Sequence, residues 1–188
     1  MKKNCSSLNN QFFIRFLLSL LLLFVSCKRP AHRPQQKTTE TNQSQTQEPT
    51  EETHSLKVTL IRVLDGDTIE VLYHELPLMI RFQHIDAPET RGDQPFGEKS
   101  TSALQRLCQG EFLIIKTEGE FDMGGRLIGE VFDDHGNNLN QELVRLGLAW
   151  HYKKYSDSKA YAKLEKQARK NHRGLWKAAE PVSPWDFR

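Results

Sequence analysis

Between residues 65 and 93 the sequence gathers Asp65, Asp67, Glu70, Glu75, Asp86, Glu89 and Asp93 against only two basic residues, Arg81 and Arg91. Carboxylates brought together in this way repel one another unless a positive charge sits among them. Oxygen donors without clustered His or Cys suit a hard cation, Ca²⁺ or Mg²⁺, better than zinc. Two short motifs concentrate the acid, Asp65-Gly66-Asp67 and Asp86-Ala87-Pro88-Glu89. Taken singly, each also reads as ordinary turn chemistry, because Asp, Gly and Pro dominate turns. They become a site only if the fold carries both to one place.

The surrounding pattern supplies such elements. Residues 56–64 read as a strand, followed by the Asp65-Gly66-Asp67 turn and a second strand over 68–73, together a hairpin. Residues 78–85 alternate, with Leu78, Ile80 and Phe82 on one face and Met79, Arg81 and Gln83 on the other, so Arg81 points away from the apolar face. A loop over 86–94 leads to a helix over 95–109: Pro95 suits a helix start, Leu104, Leu107 and Cys108 share a stripe, and Gly110 ends it. Strands follow at 112–117 and 126–133, then a helix at 139–146 stopped by Gly147. A last helix, capped by Ser156 or Asp157, runs to about Asn171. This order predicts an α+β, mainly β fold: a five-stranded Greek-key barrel of OB type with three helices. Residues 178–188 read as an extended strap packed on the domain, without catalytic residues.

Five blocks recur in a recognisable order: Val63-Leu-Asp-Gly-Asp-Thr-Ile69, Ile80-Arg-Phe-Gln-His-Ile-Asp-Ala-Pro-Glu89, Gly125-Arg126, Leu143-Val-Arg-Leu-Gly-Leu-Ala-Trp150 and Arg173-Gly-Leu-Trp176. Over residues 55–177 they resemble the staphylococcal nuclease family. The resemblance implies an OB-fold enzyme that uses Ca²⁺ to cleave phosphodiester bonds in DNA, RNA or both. It implies Asp67, Asp86 and the backbone carbonyl of Ala87 as metal ligands and Asp65 as an outer carboxylate. Glu89 becomes the general base, and Arg81 and Arg126 the phosphate-binding pair. Phosphodiester hydrolysis has use for these residue types: a carboxylate to deprotonate water, and two planar guanidiniums to follow the charge that builds on the phosphate oxygens. A competing reading, an OB-fold module that binds nucleic acid or protein without cutting, is disfavoured by the presence of the complete residue set. One departure stands out, Gly124 where many members carry an aromatic residue, which leaves Tyr155, with Tyr152, as the candidate for stacking on a base.

At the other end of the chain, Lys2, Lys3 and Arg15 precede an apolar run over 16–25 that is too short to span a bilayer. Leu-Phe-Val-Ser-Cys27 then resembles a bacterial lipoprotein box. The expectation is a signal peptide at 1–26, a lipidated Cys27 and a disordered tether to residue 54 that is poor in apolar side chains. The folded part would then be exported and held at the cell envelope by a lipid anchor in the membrane, plain secretion being the alternative. A monomer is expected. With Cys5 lost and Cys27 lipidated, Cys108 is left alone and reads as core packing.

The whole-chain averages conceal these parts. A mean hydropathy of −0.62 excludes a multi-span membrane protein, and three Cys are too few for a disulfide framework. The net charge of +2 combines the acidic cluster with a strongly basic stretch over 153–177, nine Lys and Arg against Asp157 and Glu165. One suits a cation and the other a polyanion such as nucleic acid.

Overall fold

The computed structural model describes residues 53–188. The signal segment, Cys27 and all but the last two residues of the expected tether lie outside the described residues. Strand β1 (His54–Val63) turns through Asp65-Gly66-Asp67 into β2 (Thr68–Tyr73), which pairs antiparallel with β3 (Leu76–Phe82). A two-residue strand β4 (Ile85–Asp86), helix α1 (Gly97–Leu107), and strands β5 (Leu113–Thr117) and β6 (Leu127–Phe132) follow. Then come α2 (Leu139–Leu146), a short β7 (Trp150–His151), α3 (Lys159–Lys170) and α4 (Pro184–Phe187).

The barrel closes in the order β1-β2-β3-β6-β5. Its distinctive seam is the parallel pairing of β3 with β6, which sets Ile80 opposite Leu127 and Arg81 opposite Ile128. Apolar residues alternating along the strands, Ile69, Val71, Ile80, Phe82, Leu113, Ile115, Leu127 and Val131, turn inward and are buried. Leu104 of α1 and Leu139, Leu143 and Val144 of α2 cap this core. The mainly β, OB-type barrel expected from the strand order is therefore the fold, and Cys108 is a buried core residue.

Several element ends differ from expectation, each for a local reason. The third strand stops at Phe82 rather than continuing to residue 85, because the chain folds around the Arg81 side chain. The Arg81 guanidinium donates to the carbonyls of Phe82 (2.8 Å) and Ile85 (2.9 Å), and His84 in the turn is left-handed at φ 69°. The chain beyond it pairs instead with β7, Ile85 opposite His151. Helix α3 starts after Ser158, not after Ser156 or Asp157 as a cap. The Ser156 hydroxyl is engaged by His84 Nδ1 at 3.0 Å and His151 Nε2 at 2.9 Å. The tail, expected to be an extended strap without functional residues, instead forms α4 and delivers Arg188 to the acidic cluster.

Two close approaches fix that cluster's loops. A Cβ on Gly66 would lie 2.3 Å from Ser100 Oγ and 2.7 Å from the Cβ of Ala87, so only glycine lets the Asp65–Asp67 turn settle against α1 and the Asp86 loop. A Cβ on Gly97 would lie 2.2 Å from the Glu89 carbonyl oxygen, so the start of α1 sits directly on the Glu89 backbone.

Candidate active site

The two acidic motifs meet. Asp65 first shapes the turn, its Oδ1 accepting the Asp67 N–H at 3.0 Å. Asp67 Oδ2 then accepts the Ala87 N–H at 2.6 Å, tying the hairpin turn to the Asp86 loop. Arg81 enters from the neighbouring strand, in register with Thr68. Its Nη2 lies 3.2 Å from Asp67 Oδ2 and 2.8 Å from Asp86 Oδ1. Both carboxylates are buried, Asp86 completely. Glu89 sits at the edge of the same cluster, its N–H donated to Gln94 Oε1 at 2.8 Å and its carboxylate paired with Arg188.

Arg126 joins through Thr68. Its Nη1 approaches Thr68 Oγ1 at 3.2 Å, and that hydroxyl donates to Asp67 Oδ1 at 3.2 Å. Asp122 organises the glycine-containing approach. Its Oδ1 accepts the N–H groups of Gly124 (2.9 Å) and Arg126 (3.0 Å), while Oδ2 holds Arg126 Nε at 2.8 Å. Although burial pushes the other way, these Arg126 and Gly124 hydrogen bonds hold the Asp122 carboxyl below the usual range. The loop that consecutive glycines would loosen is thus tied by one side chain.

Of the residues singled out from sequence, Asp67, Asp86, Ala87, Arg81, Glu89 and Arg126 form one connected cluster. Tyr155 stands apart from it, exposed, its ring 4.9 Å from Tyr152. Trp150 and Trp176 are buried and meet edge to face, as packing groups do. Sequence reasoning passed over Gln94, Asp122, Thr68 and Arg188. The Asp122-x-Gly-Gly-Arg126 spacing is an Asx-turn signal that was available; Arg188 has no local signal at all.

The donor set suits a hard cation. Asp67 and Asp86 present only oxygen; Arg81 bridges the two, and Arg188 reaches Asp86 from the tail. Burial pushes the Asp67 carboxyl up to about 7; Arg81 opposes this, while the charges of Asp65 and Asp86 add to it. A further positive charge would relieve that cost. A tighter grouping of ligand atoms, Asp133, Asp134 and His135, lies elsewhere, in the turn after β6. There Asp133 already accepts N–H groups of His135 and Asn137 within its own turn.

A pH test follows from Asp67. Its raised value means that Asp67 favours the folded state fully only below the ordinary carboxylate range, and that this contribution is lost as pH rises through about 7. In chelator, Asp67→Asn should therefore gain stability relative to wild type between pH 5 and pH 8, as thermal melts would record. A constant difference across that range would contradict the buried, protonatable Asp67. His151, whose burial lowers its value, is common to both proteins and cancels.

A closed OB barrel that lodges Arg81 between buried carboxylates, with Arg126 linked through Thr68, has the groups to hold a cation and a phosphate together. The staphylococcal nuclease homologue family model matches residues 79–178, and the chain belongs to that family. It is 41% identical over 129 residues to an uncharacterized endonuclease of Escherichia coli O157:H7, covering 69% of this chain and 82% of that protein. A micrococcal nuclease of Shigella flexneri is 34% identical over 140 residues, covering 69% of this chain and 78% of its own.

Proposed function

We propose that the protein is a Ca²⁺-dependent nuclease that hydrolyses phosphodiester bonds of DNA or RNA. The observation that carries this reading is the contact of Arg81 with both Asp67 and Asp86, with Glu89 alongside and Arg126 linked through Thr68. Asp67, Asp86 and the Ala87 carbonyl would hold the ion, which when bound supplies a positive centre for a phosphate oxygen and for water. Glu89, at the rim and partly open to solvent, accepts the proton of the attacking water. Arg81 and Arg126 approach from adjacent strands and donate to the phosphate oxygens as their charge grows. Asp122 keeps the Arg126 guanidinium aimed, and Thr68 couples that guanidinium to Asp67.

Beyond the scissile group, the basic stretch over 153–177 would attract the nucleic-acid backbone, with Tyr155 offering an exposed ring to a base. The same proposal places the enzyme at the cell envelope, exported by residues 1–26 and anchored through Cys27 to a membrane. It rests there on sequence alone; an unmodified N-terminus downstream of Cys27 in mass spectra would refute the anchor.

The direct test incubates the full chain with denatured DNA and with RNA, in Ca²⁺ or in chelator. Cleavage with Ca²⁺ that stops on chelation is the expected result. Retention of the nucleic acid without cleavage would replace the enzyme by a binding module.

A further inference from the structure

The last residues of the chain lie across the candidate site. Gln94 joins them to the catalytic loop, accepting the Glu89 N–H through Oε1 and donating through Nε2 to the Val182 carbonyl at 2.9 Å. Helix α4 follows, and the Ser183 hydroxyl before it donates to the Asp186 carboxylate. Trp185 stacks on Tyr152 with centroids 5.2 Å apart and planes 10° from parallel, and its edge meets Trp150 at 5.6 Å. Phe187 covers Gly92, its ring 3.4 Å from where a Cβ would stand. These contacts deliver Arg188, whose Nη2 lies 2.6 Å from Asp86 Oδ2 and whose Nη1 pairs with Glu89.

Both oxygens of Asp86 are therefore engaged, Oδ1 by Arg81 and Oδ2 by Arg188. Each guanidinium contact takes a lone-pair site that a cation would use at Asp86, and the pairing with Arg188 makes the Glu89 carboxylate a weaker acceptor of a proton from water. We propose that residues 182–188 form an autoinhibitory strap, in which Arg188 occupies the acidic centre in competition with the metal and is displaced when the metal binds. This inference rests on the Ca²⁺ reading of Asp67 and Asp86. Arg188 is 46% exposed and stands at the end of the strap, beyond the Trp185 stack, the Phe187 contact and the Gln94–Val182 hydrogen bond, so its release needs only the last residues to open.

Calorimetry of the full chain with CaCl₂ tests the competition without any reference to cleavage. Arg188→Gln, and independently Trp185→Ala, should each bind Ca²⁺ about tenfold more tightly than wild type, the scale of two partly exposed ion pairs. Loss of a positive charge alone could tighten binding at Arg188, so a second readout reports movement. Trp150 and Trp176 are buried while Trp185 is 38% exposed. Acrylamide quenching of tryptophan fluorescence in wild type should therefore rise on Ca²⁺ saturation as Trp185 leaves Tyr152. Wild-type Ca²⁺ binding that Asp67→Asn abolishes, but that neither strap variant changes, would overturn the strap and leave the nuclease reading intact. Unchanged quenching on saturation would likewise overturn it. No Ca²⁺ binding by any of the proteins would overturn both readings.

Discussion

Glu89→Gln should lower kcat by about 10² to 10⁴, the usual range for loss of a positioned general base. The substitution keeps the shape and removes only the capacity to accept a proton. Stability should change little, because Glu89 lies at the rim and its carboxylate contacts only Arg188, while its backbone is held independently by Gln94 and by the packing of Gly97. Single-turnover cleavage of denatured DNA at saturating Ca²⁺, beside a thermal melt, separates the two effects. A variant that cuts at the wild-type rate would remove Glu89 from the mechanism. Loss of Ca²⁺ binding along with rate would instead make it a ligand.

The two arginines should fail in different ways. Arg126→Lys keeps a charge but loses the planar fork, and one missing donor of this kind costs about 3 to 4 kcal/mol of transition-state stabilisation. Its fold should survive, since Arg126 is partly exposed and pairs with Asp122 near the surface. Arg81→Ala should lose activity to at least the same degree and also destabilise the protein by about 3 to 5 kcal/mol, because it leaves buried Asp67 without its guanidinium and buried Asp86 with Arg188 alone. It also removes the donor around which the turn at His84 is built. Urea unfolding and cleavage rates for both variants, in chelator and in Ca²⁺, would show the contrast. Equal stability losses for the two would mean that Arg81 is not the internal counter-charge described above.

How much of this was legible depends on the range of each interaction. Alternation along residues 78–82 correctly set Arg81 opposite Ile80 and Phe82, because strand periodicity is local. It could not show that the Arg81 guanidinium would gather the Phe82 and Ile85 carbonyls and end the strand. Ser156 looked like a helix cap for a similar reason. Its hydroxyl is claimed by His84 and His151, and the first of these is remote in sequence. The two-residue β4 and β7 are too short for any periodic signal. Asp67, Asp86, Glu89, Arg81 and Arg126 were found through family motifs, and their placement in one cluster required the fold. Arg188 was missed because its contacts with Asp86 and Glu89 follow from how the tail folds back, which no neighbouring residue encodes.

The parallel β3–β6 seam also bears on the order in which the molecule acquires its parts. β1, β2 and β3 are consecutive and antiparallel, so Asp67 and Arg81 can meet within one early meander of short loops. Arg126 stands beside β6, which reaches β3 only after α1 and β5 have been formed or bridged. Closing that excursion carries a loop-entropy penalty that the meander does not. The Asp67–Arg81 pair thus rests on contacts local to the meander, whereas Asp86, whose strand pairs with β7, and Arg126 depend on chain that returns from later elements.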